Sequence, residues 1–308
     1  MKKLLHSFSK SARKKKRFAK EAKTINQLRF AQYEVYYREK VIESKTLGIG
    51  NDVPESITIS LTSYGPRIDT VYLTIESLMH QSLKADRIVL CLAKSEFSEA
   101  NLPASLKNQR ERGLEILFCE EDIGAYQKFF YTLQKYPEDI VITVDDDFIY
   151  PIDTIDSLYC AYLKEPLVIH CHRAHQMLLA KSRHLRPYRK WNLDKTPDAA
   201  TLCTFPTGVG GVLYFPGSLD NAVFDKDTFL KLSPNADDVW LKAMSLMKSV
   251  KCRKIQNQSM LAERAISIPG SQAVALKRKN KHRQTGNDLA ISNVFSKYNL
   301  YSMIEAST

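Results

Sequence analysis

The chain has 308 residues, yet no run approaches the roughly 18 consecutive apolar residues that span a bilayer. Its N-terminus also lacks the apolar stretch of a secretory signal. Both absences argue against a membrane-spanning or exported protein, so a cytoplasmic location is expected. There is no C-x-x-C pair: Cys91, Cys119, Cys160, Cys171, Cys203 and Cys252 are scattered. Cys91, Cys119 and Cys160 lie in apolar runs and read as free, buried thiols of a reducing compartment rather than as a disulfide framework. Internal repeats and low-complexity tracts are absent too. What remains, with 44% hydrophobic residues, suffices for a substantial core in one large domain with appendages.

The formal net charge is +11, but it is not spread evenly. Residues 1–48 hold fourteen Lys/Arg and four Glu, a net +10, which leaves +1 for the rest of the chain. A basic folded domain would point to nucleic acid. Here the charge belongs to an extension, and no stacking platform or recognised motif accompanies it, so no nucleic-acid partner is expected. The extension is almost free of Gly and Pro and interleaves Leu4, Leu5, Phe8, Phe18, Ile25, Leu28, Phe30 and Tyr33 with its basic residues. That pattern reads as a helix. It suits the anionic inner face of the plasma membrane, or packing on the domain or on a second subunit.

Linker chemistry follows at Gly48-Ile49-Gly50-Asn51-Asp52-Val53-Pro54, and sets an expected division into a basic helical extension (1–50), a main domain (51–300) and a tail (301–308). Strands are predicted at ITISLTS (57–63), RIVLCLA (87–93), LEILFCE (114–120) and DIVITVDDD (139–147). Helix stripes lie between them, at Val71/Ile75/Leu78/Met79 and Tyr126/Phe129/Phe130/Leu133. Continuous apolar strands separated by helices indicate a doubly wound α/β fold with a mostly parallel sheet, whose ligands sit beyond the carboxyl ends of the strands. Further strands are expected at 167–174 and 210–217. Further helices are expected at Trp240/Ala243/Met244/Met247 and from about Asn287 onward.

Asp145-Asp146-Asp147 closes the fourth predicted strand. Three adjacent carboxylates repel one another unless a cation or ordered hydrogen bonds compensate. Alternation along an extended chain turns Asp145 and Asp147 to one side, where hard oxygen ligands suit Mg2+ or Mn2+ and leave positions open for phosphate. An EF-hand is excluded, because Tyr150 and Asp156 stand where its Gly and Glu would be. Acidic capping of the following helix is the plainer alternative. In His170-Cys171-His172-Arg173-Ala174-His175, strand alternation separates the cysteine from the first two histidines, which weakens a zinc reading; Arg173 or His175 lining an acceptor pocket suits the cluster better.

ISLTSYGPR (59–67), SLMHQSLKADRIVLCL (77–92), DIGAYQK (122–128), the acidic triplet, PTGVGGVLY (206–214) and NADDVW (235–240) together resemble the GT-A-fold glycosyltransferases. They are similar to the bacterial family-2-like enzymes that build capsule, O-antigen or lipooligosaccharide. The resemblance spans roughly residues 55–300. It implies nucleotide-sugar contacts from Leu61, Thr62, Ser63, Tyr64, Arg67, Asp122, Lys128, Asp145, Asp146, Gly210 and Gly211. It also implies a metal held by Asp145 and Asp147, completed by His282 near Lys277, Lys281 and Arg283, and Asp238 as the catalytic base of an inverting transfer. Asp237 is expected nearer the helix cap, and the positive helix end is expected to favour ionised Asp238. The implied reaction moves a hexose or N-acetylhexosamine from a UDP-linked donor to a glycan or glycolipid hydroxyl. Two alternatives stay open: a sugar-phosphate nucleotidyltransferase, for which Gly65-Pro66-Arg67 is a poor phosphate loop, and a non-catalytic basic module binding membrane or RNA.

Overall fold

The computed structural model describes residues 2–180, 185–256, 264–270 and 286–305, with residues 2–20 described by their backbone alone. The apolar runs form the strands β1 (Ile57–Thr62), β2 (Arg87–Ala93), β3 (Leu114–Cys119) and β4 (Ile140–Thr143). With β6 (Val168–Cys171), β10 (Val212–Tyr214) and β11 (Lys251–Lys254) they build a seven-stranded sheet in the order β11-β6-β10-β4-β1-β2-β3. The pairs β1/β2, β2/β3, β1/β4 and β11/β6 are parallel, and β10 runs antiparallel between β4 and β6. This is the doubly wound, mostly parallel α/β arrangement that the continuous apolar runs predict. The chain moves outward from β1 through β2 to β3, then returns to place β4 on the other side of β1. That reversal is a topological switch point, where the carboxyl ends of adjacent strands splay apart and leave room for a ligand.

Helices cover both faces of the sheet. On one face α2 (Val71–Met79), α3 (Ala104–Arg110) and α5 (Thr154–Lys164) bury Val71, Ile75, Leu78, Leu106, Ile155 and Leu158 against β1, β2 and β4. On the other, α4 (Gln127–Lys135), α6 (Lys226–Leu232), α7 (Asp237–Met247) and α8 (Asn287–Lys297) enclose Phe129, Phe229, Trp240 and Phe295. The two faces explain why β2 carries apolar residues at consecutive positions, and why Thr58 and Ser60 of β1 are buried and bonded to Asp139 and Thr132. A two-stranded ribbon joins β5 (Phe148–Ile149) to β12 (Ile266–Ser267), and a three-stranded one joins β7 (Ala174–Gln176), β8 (Asn192–Leu193) and β9 (Thr204–Pro206).

The basic extension is the helix α1 (Lys2–Glu43). Its last turns are built into the fold: Tyr37 and Val41 are buried, and Tyr37 packs with Leu73, Ile149, Ile266 and Ile268. Buried Arg112 ties this end down, donating to the Thr46 carbonyl at 3.0 Å while paired with Glu76 at 2.6 Å. Residues 301–305, expected as tail, form the short helix α9 (Tyr301–Glu305) with Ile304 buried.

Three expectations are corrected. The strand predicted at 139–147 ends at Thr143, and the acidic triplet lies in the turn that leads to β5. The run 167–174 is divided between β6 and β7, because the chain bends at His172-Arg173 to leave the main sheet. All six cysteines are free, but Cys160, expected to be buried, is exposed, because it lies on the face of α5 that meets solvent. Among the described residues, no helix is long and apolar enough to cross a membrane.

Candidate functional site

The acidic triplet stands at the switch point, beyond the carboxyl ends of β1 and β4. Ser63 and Arg67 follow β1, and both turn to it. Ser63 Oγ donates to Asp146 Oδ2 at 2.7 Å, and the Arg67 guanidinium grips Asp146 Oδ1 and, at 3.0 Å, Asp147 Oδ2. Ser63, Arg67, Asp146 and Asp147 are all buried. Alternation therefore fails as a guide to the triplet: it lies in a turn, where Asp147 faces Arg67 while Asp145 faces a different cation. Burial raises the Asp147 carboxyl to about 7, with Asp145 adding repulsion that Arg67 only partly offsets. Asp146 is raised as well, chiefly by burial.

The second cation is Lys128, on the first turn of α4. Its Nζ lies 3.0 Å from Asp145 Oδ1 and 2.8 Å from Asp237 Oδ2, so one buried ammonium joins the end of β4 to the start of α7. Burial lowers its pKa, but Asp145, Asp237 and Asp238 together raise it well above the ordinary lysine value. Asp238, next along α7, accepts a hydrogen bond from the Gly208 N–H at 3.0 Å. Gly208 is closely packed: a Cβ there would lie 2.9 Å from both Asp145 Oδ1 and Lys128 Nζ, so these side chains would have to shift. Neither aspartate caps α7. Ala236 occupies the cap position with no side-chain bond, and both carboxylates are drawn into the site by Lys128 and Gly208. The expected lowering of Asp238 by the helix end is outweighed. Burial, and then Asp237, raise its carboxyl to about 8.

The structure gathers Ser63, Arg67, Lys128, Asp145, Asp146, Asp147, Asp237 and Asp238 into one constellation. Other residues singled out in the sequence take different places. Leu61 is a fully buried core side chain of β1, and Thr62 donates to the Cys91 carbonyl at 2.8 Å. The Tyr64 ring lies under the Arg67 guanidinium, 5.2 Å from centroid to Cζ. Asp122 is exposed and receives the Gly124 N–H at 2.8 Å, ordering the turn before α4. Gly210 and Gly211 have φ of 100° and 99°, the left-handed region that lets the loop from β9 turn into β10. His282, Lys277, Lys281 and Arg283 lie outside the described residues.

The histidine cluster is structural where the protein is described. His170 Nε2 meets the Glu165 carbonyl at 3.0 Å, and His172 Nε2 meets that of Thr154 at 3.1 Å. His175 Nδ1 accepts the Asp194 N–H at 3.0 Å. Burial lowers all three, His172 and His175 to about 4, so they stay neutral near pH 7. Arg173 alone turns toward the site, donating to Thr207 beside Gly208. Thr74 and Tyr150, which hold the backbone of the triplet, are not among the residues the sequence points to: buried polar side chains inside apolar stretches are their only signal.

Within the constellation five carboxylates face two cations, Arg67 and Lys128. The residual negative charge and the hard oxygen donors fit Mg2+ or Mn2+, which need only one or two carboxylates when phosphates and water supply the remaining positions. Among the described residues no group of three or more His, Cys, Asp and Glu side chains forms a ready-made metal cage.

No family model and no curated protein matches the chain. Among solved structures it is similar to a mannosyltransferase from Pyrobaculum calidifontis in complex with GDP-Man and Mn2+, at 14% identity and a TM-score of 0.45, over 90% of this chain and 74% of that one. It is also similar to the inositol-1-phosphate CTP transferase of T. maritima, at 12% identity and a TM-score of 0.43, over 83% and 98% of the two chains. A 4-diphosphocytidyl-2C-methyl-D-erythritol synthase from Anaerococcus prevotii gives 12% identity and 0.43 over 71% and 94%. These are likenesses of general chain path.

Proposed function

We propose that the protein transfers a hexose or N-acetylhexosamine from a UDP-linked sugar to a hydroxyl of a glycan or glycolipid, with inversion at the anomeric carbon. The observation that carries this reading is the meeting of two acidic segments from opposite sides of one glycine. Asp145–Asp147 come from the end of β4 and Asp237–Asp238 from the start of α7, with Gly208 and Lys128 between them. Group transfer between a diphosphate and a hydroxyl needs such a pair of functions: a place that holds charge and a carboxylate that takes a proton.

Asp145 and Asp147 would hold the divalent ion, which supplies electrostatic stabilisation for the charge developing on the departing diphosphate. Lys128 orients Asp145 and pairs with Asp237 beside it. Asp238, raised to about 8, accepts the proton of the acceptor hydroxyl as that oxygen bonds to the anomeric carbon and the bond to the diphosphate oxygen breaks. The absence of a side chain at 208 lets the two segments approach each other. On this reading α1 presents the protein to an anionic bilayer: residues 1–20 carry nine Lys/Arg and no acid, and Ile25, Leu28, Val35 and Ile42 are exposed away from buried Tyr37 and Val41.

The test is a thermal-shift screen of UDP-, GDP-, CMP- and dTDP-sugars, each with and without Mn2+, alongside CTP and UTP. A ligand that binds the folded state raises its stability. The expected result is stabilisation by a UDP-sugar that needs Mn2+. Stabilisation by a free nucleoside triphosphate and by no nucleotide-sugar would replace glycosyl transfer with nucleotidyl transfer.

A further inference from the structure

Three successive backbone carbonyls of the acidic turn are held by three different parts of the fold. The Asp145 carbonyl accepts from the Tyr150 hydroxyl at 3.0 Å, that of Asp146 from Thr74 Oγ1 at 3.0 Å, and that of Asp147 from the Ile268 N–H at 2.9 Å. The first of these is unusual because the same hydroxyl also accepts the Asp145 N–H, at 2.9 Å. A tyrosine hydroxyl has one proton to give and lone pairs to receive. Here both capacities are spent on the two peptide groups of a single residue. Tyr150 is itself immobilised. Its ring is buried in the cluster that contains Ile155 and Leu158, and its N–H donates to Ser77 Oγ at 3.0 Å. Ser77 in turn donates to the Thr74 carbonyl at 2.6 Å on α2.

A rigid ring with two rotatable bonds, packed on all sides and fixed through its own backbone, makes the hydroxyl a stationary point. The Asp145 backbone is clamped to that point from both ends. Its carboxylate is therefore restricted to the directions its side-chain rotamers allow, and in this structure it faces Lys128 across the gap to α7.

We infer that Tyr150 is a positioning residue, whose hydroxyl aims the Asp145 carboxylate at the divalent ion through which the donor diphosphate would be held. The inference rests on the proposed role of Asp145 in donor binding. Tyr150→Phe keeps the ring and removes only the clamp. In hydrogen–deuterium exchange of the full-length protein, the Asp145 amide should exchange about ten-fold faster, as expected when one buried hydrogen bond is lost, while the amides of Ile140–Thr143 stay protected. Calorimetric titration of UDP with Mn2+ should show affinity weakened by about ten-fold, and the transfer rate at saturating donor and metal should stay within a few-fold of wild type. Unchanged exchange at Asp145 overturns the clamp. Faster exchange throughout β4 reduces the hydroxyl to a general structural role and overturns it equally. Faster exchange at Asp145 with wild-type UDP affinity overturns the claim that the clamp aims the carboxylate. If the wild-type protein binds no nucleotide with Mn2+, the donor reading fails separately, and the exchange measurement alone decides whether Tyr150 positions Asp145.

Discussion

The two acidic segments of the site are close in space and alike in composition, yet they are held in different ways. Asp145–Asp147 follow a central strand, and each of the three carbonyls is bonded by another element. Two of the carboxylates lean on Arg67 and the third on Lys128. Asp237–Asp238 open a helix that has no side-chain cap, and Asp238 is met by one neutral donor, the Gly208 N–H. Burial raises a carboxyl in both places, Asp147 to about 7 and Asp238 to about 8. The difference lies in what opposes burial. A carboxylate gripped by guanidinium keeps its charge as pH falls further, and suits holding a cation. One whose only hydrogen-bond donor here is neutral, and which shares the charge of Lys128 with Asp145 and Asp237, takes up a proton more readily, and suits proton transfer.

The sharpest way to break this comparison is Asp238→Asn, which keeps size and the bond from Gly208 but cannot accept a proton. Transfer at saturating donor should fall by about 10²–10⁴-fold with donor affinity unchanged, and Asp237→Asn should cost far less. Transfer within a few-fold of wild type would leave Asp238 as a structural partner of Gly208 only. Next in size, Asp145→Ala or Asp147→Ala should abolish metal-dependent binding of UDP in calorimetry while the fold survives, because repulsion within the triplet is relieved. Wild-type affinity in both variants would move the metal elsewhere.

The pH profile separates the two segments. If Asp238 is the base, the transfer rate should rise about ten-fold per pH unit and level off near pH 8. The affinity for UDP with Mn2+ should instead level off near pH 7, where Asp147 ionises. Identical profiles for rate and affinity would erase the distinction. The smallest effect is on stability. A carboxyl raised in the folded state, against about 3.9 unfolded, costs stability as pH climbs between the two values. Metal-free Asp238→Asn should therefore melt about 2–4 °C above wild type at pH 8.5 and show no gain at pH 4, a shift that corresponds to ~1 kcal/mol in a domain of this size. Equal shifts at both pH values would assign the gain to packing rather than to charge. For the basic extension, replacing Lys14, Lys15, Lys16 and Arg17 by Gln should weaken sedimentation with anionic vesicles, each charge near the surface contributing about 1 kcal/mol.

Much of this was legible before any coordinates. ITISLTS, RIVLCLA and LEILFCE mark β1, β2 and β3 to within a residue, because strands covered on both faces are rich in apolar and β-branched residues, and the buried Thr58 and Ser60 of β1 are bonded to Asp139 and Thr132. The stripes at Val71/Ile75/Leu78 and at Trp240/Ala243/Met244 locate α2 and α7, because helical repeat is a local property, but both helices are buried almost all round, with Thr74, Glu76, Lys242 and Ser245 enclosed as well. Local periodicity also locates the acidic triplet near the carboxyl end of a strand. It misses the final residues of the element, since Val144 to Asp147 leave the strand for a turn that an isolated apolar run does not announce.

Tertiary structure alone decided which of these residues meet. Lys128 reaches Asp145 seventeen positions on and Asp237 more than a hundred on, and Gly208 fits between them with no space for a Cβ. These contacts follow from β10 entering antiparallel beside β4, which brings the loop after β9 and the start of α7 to the same end of the sheet as the triplet. Strand order and direction are settled by how long segments pack against each other, and no window of neighbouring residues contains that information. The electrostatics follow the same rule. An aspartate in the first turn of a helix should be acidic by its local position, and Asp238 is not, because burial and a neighbouring carboxylate outweigh the helix end.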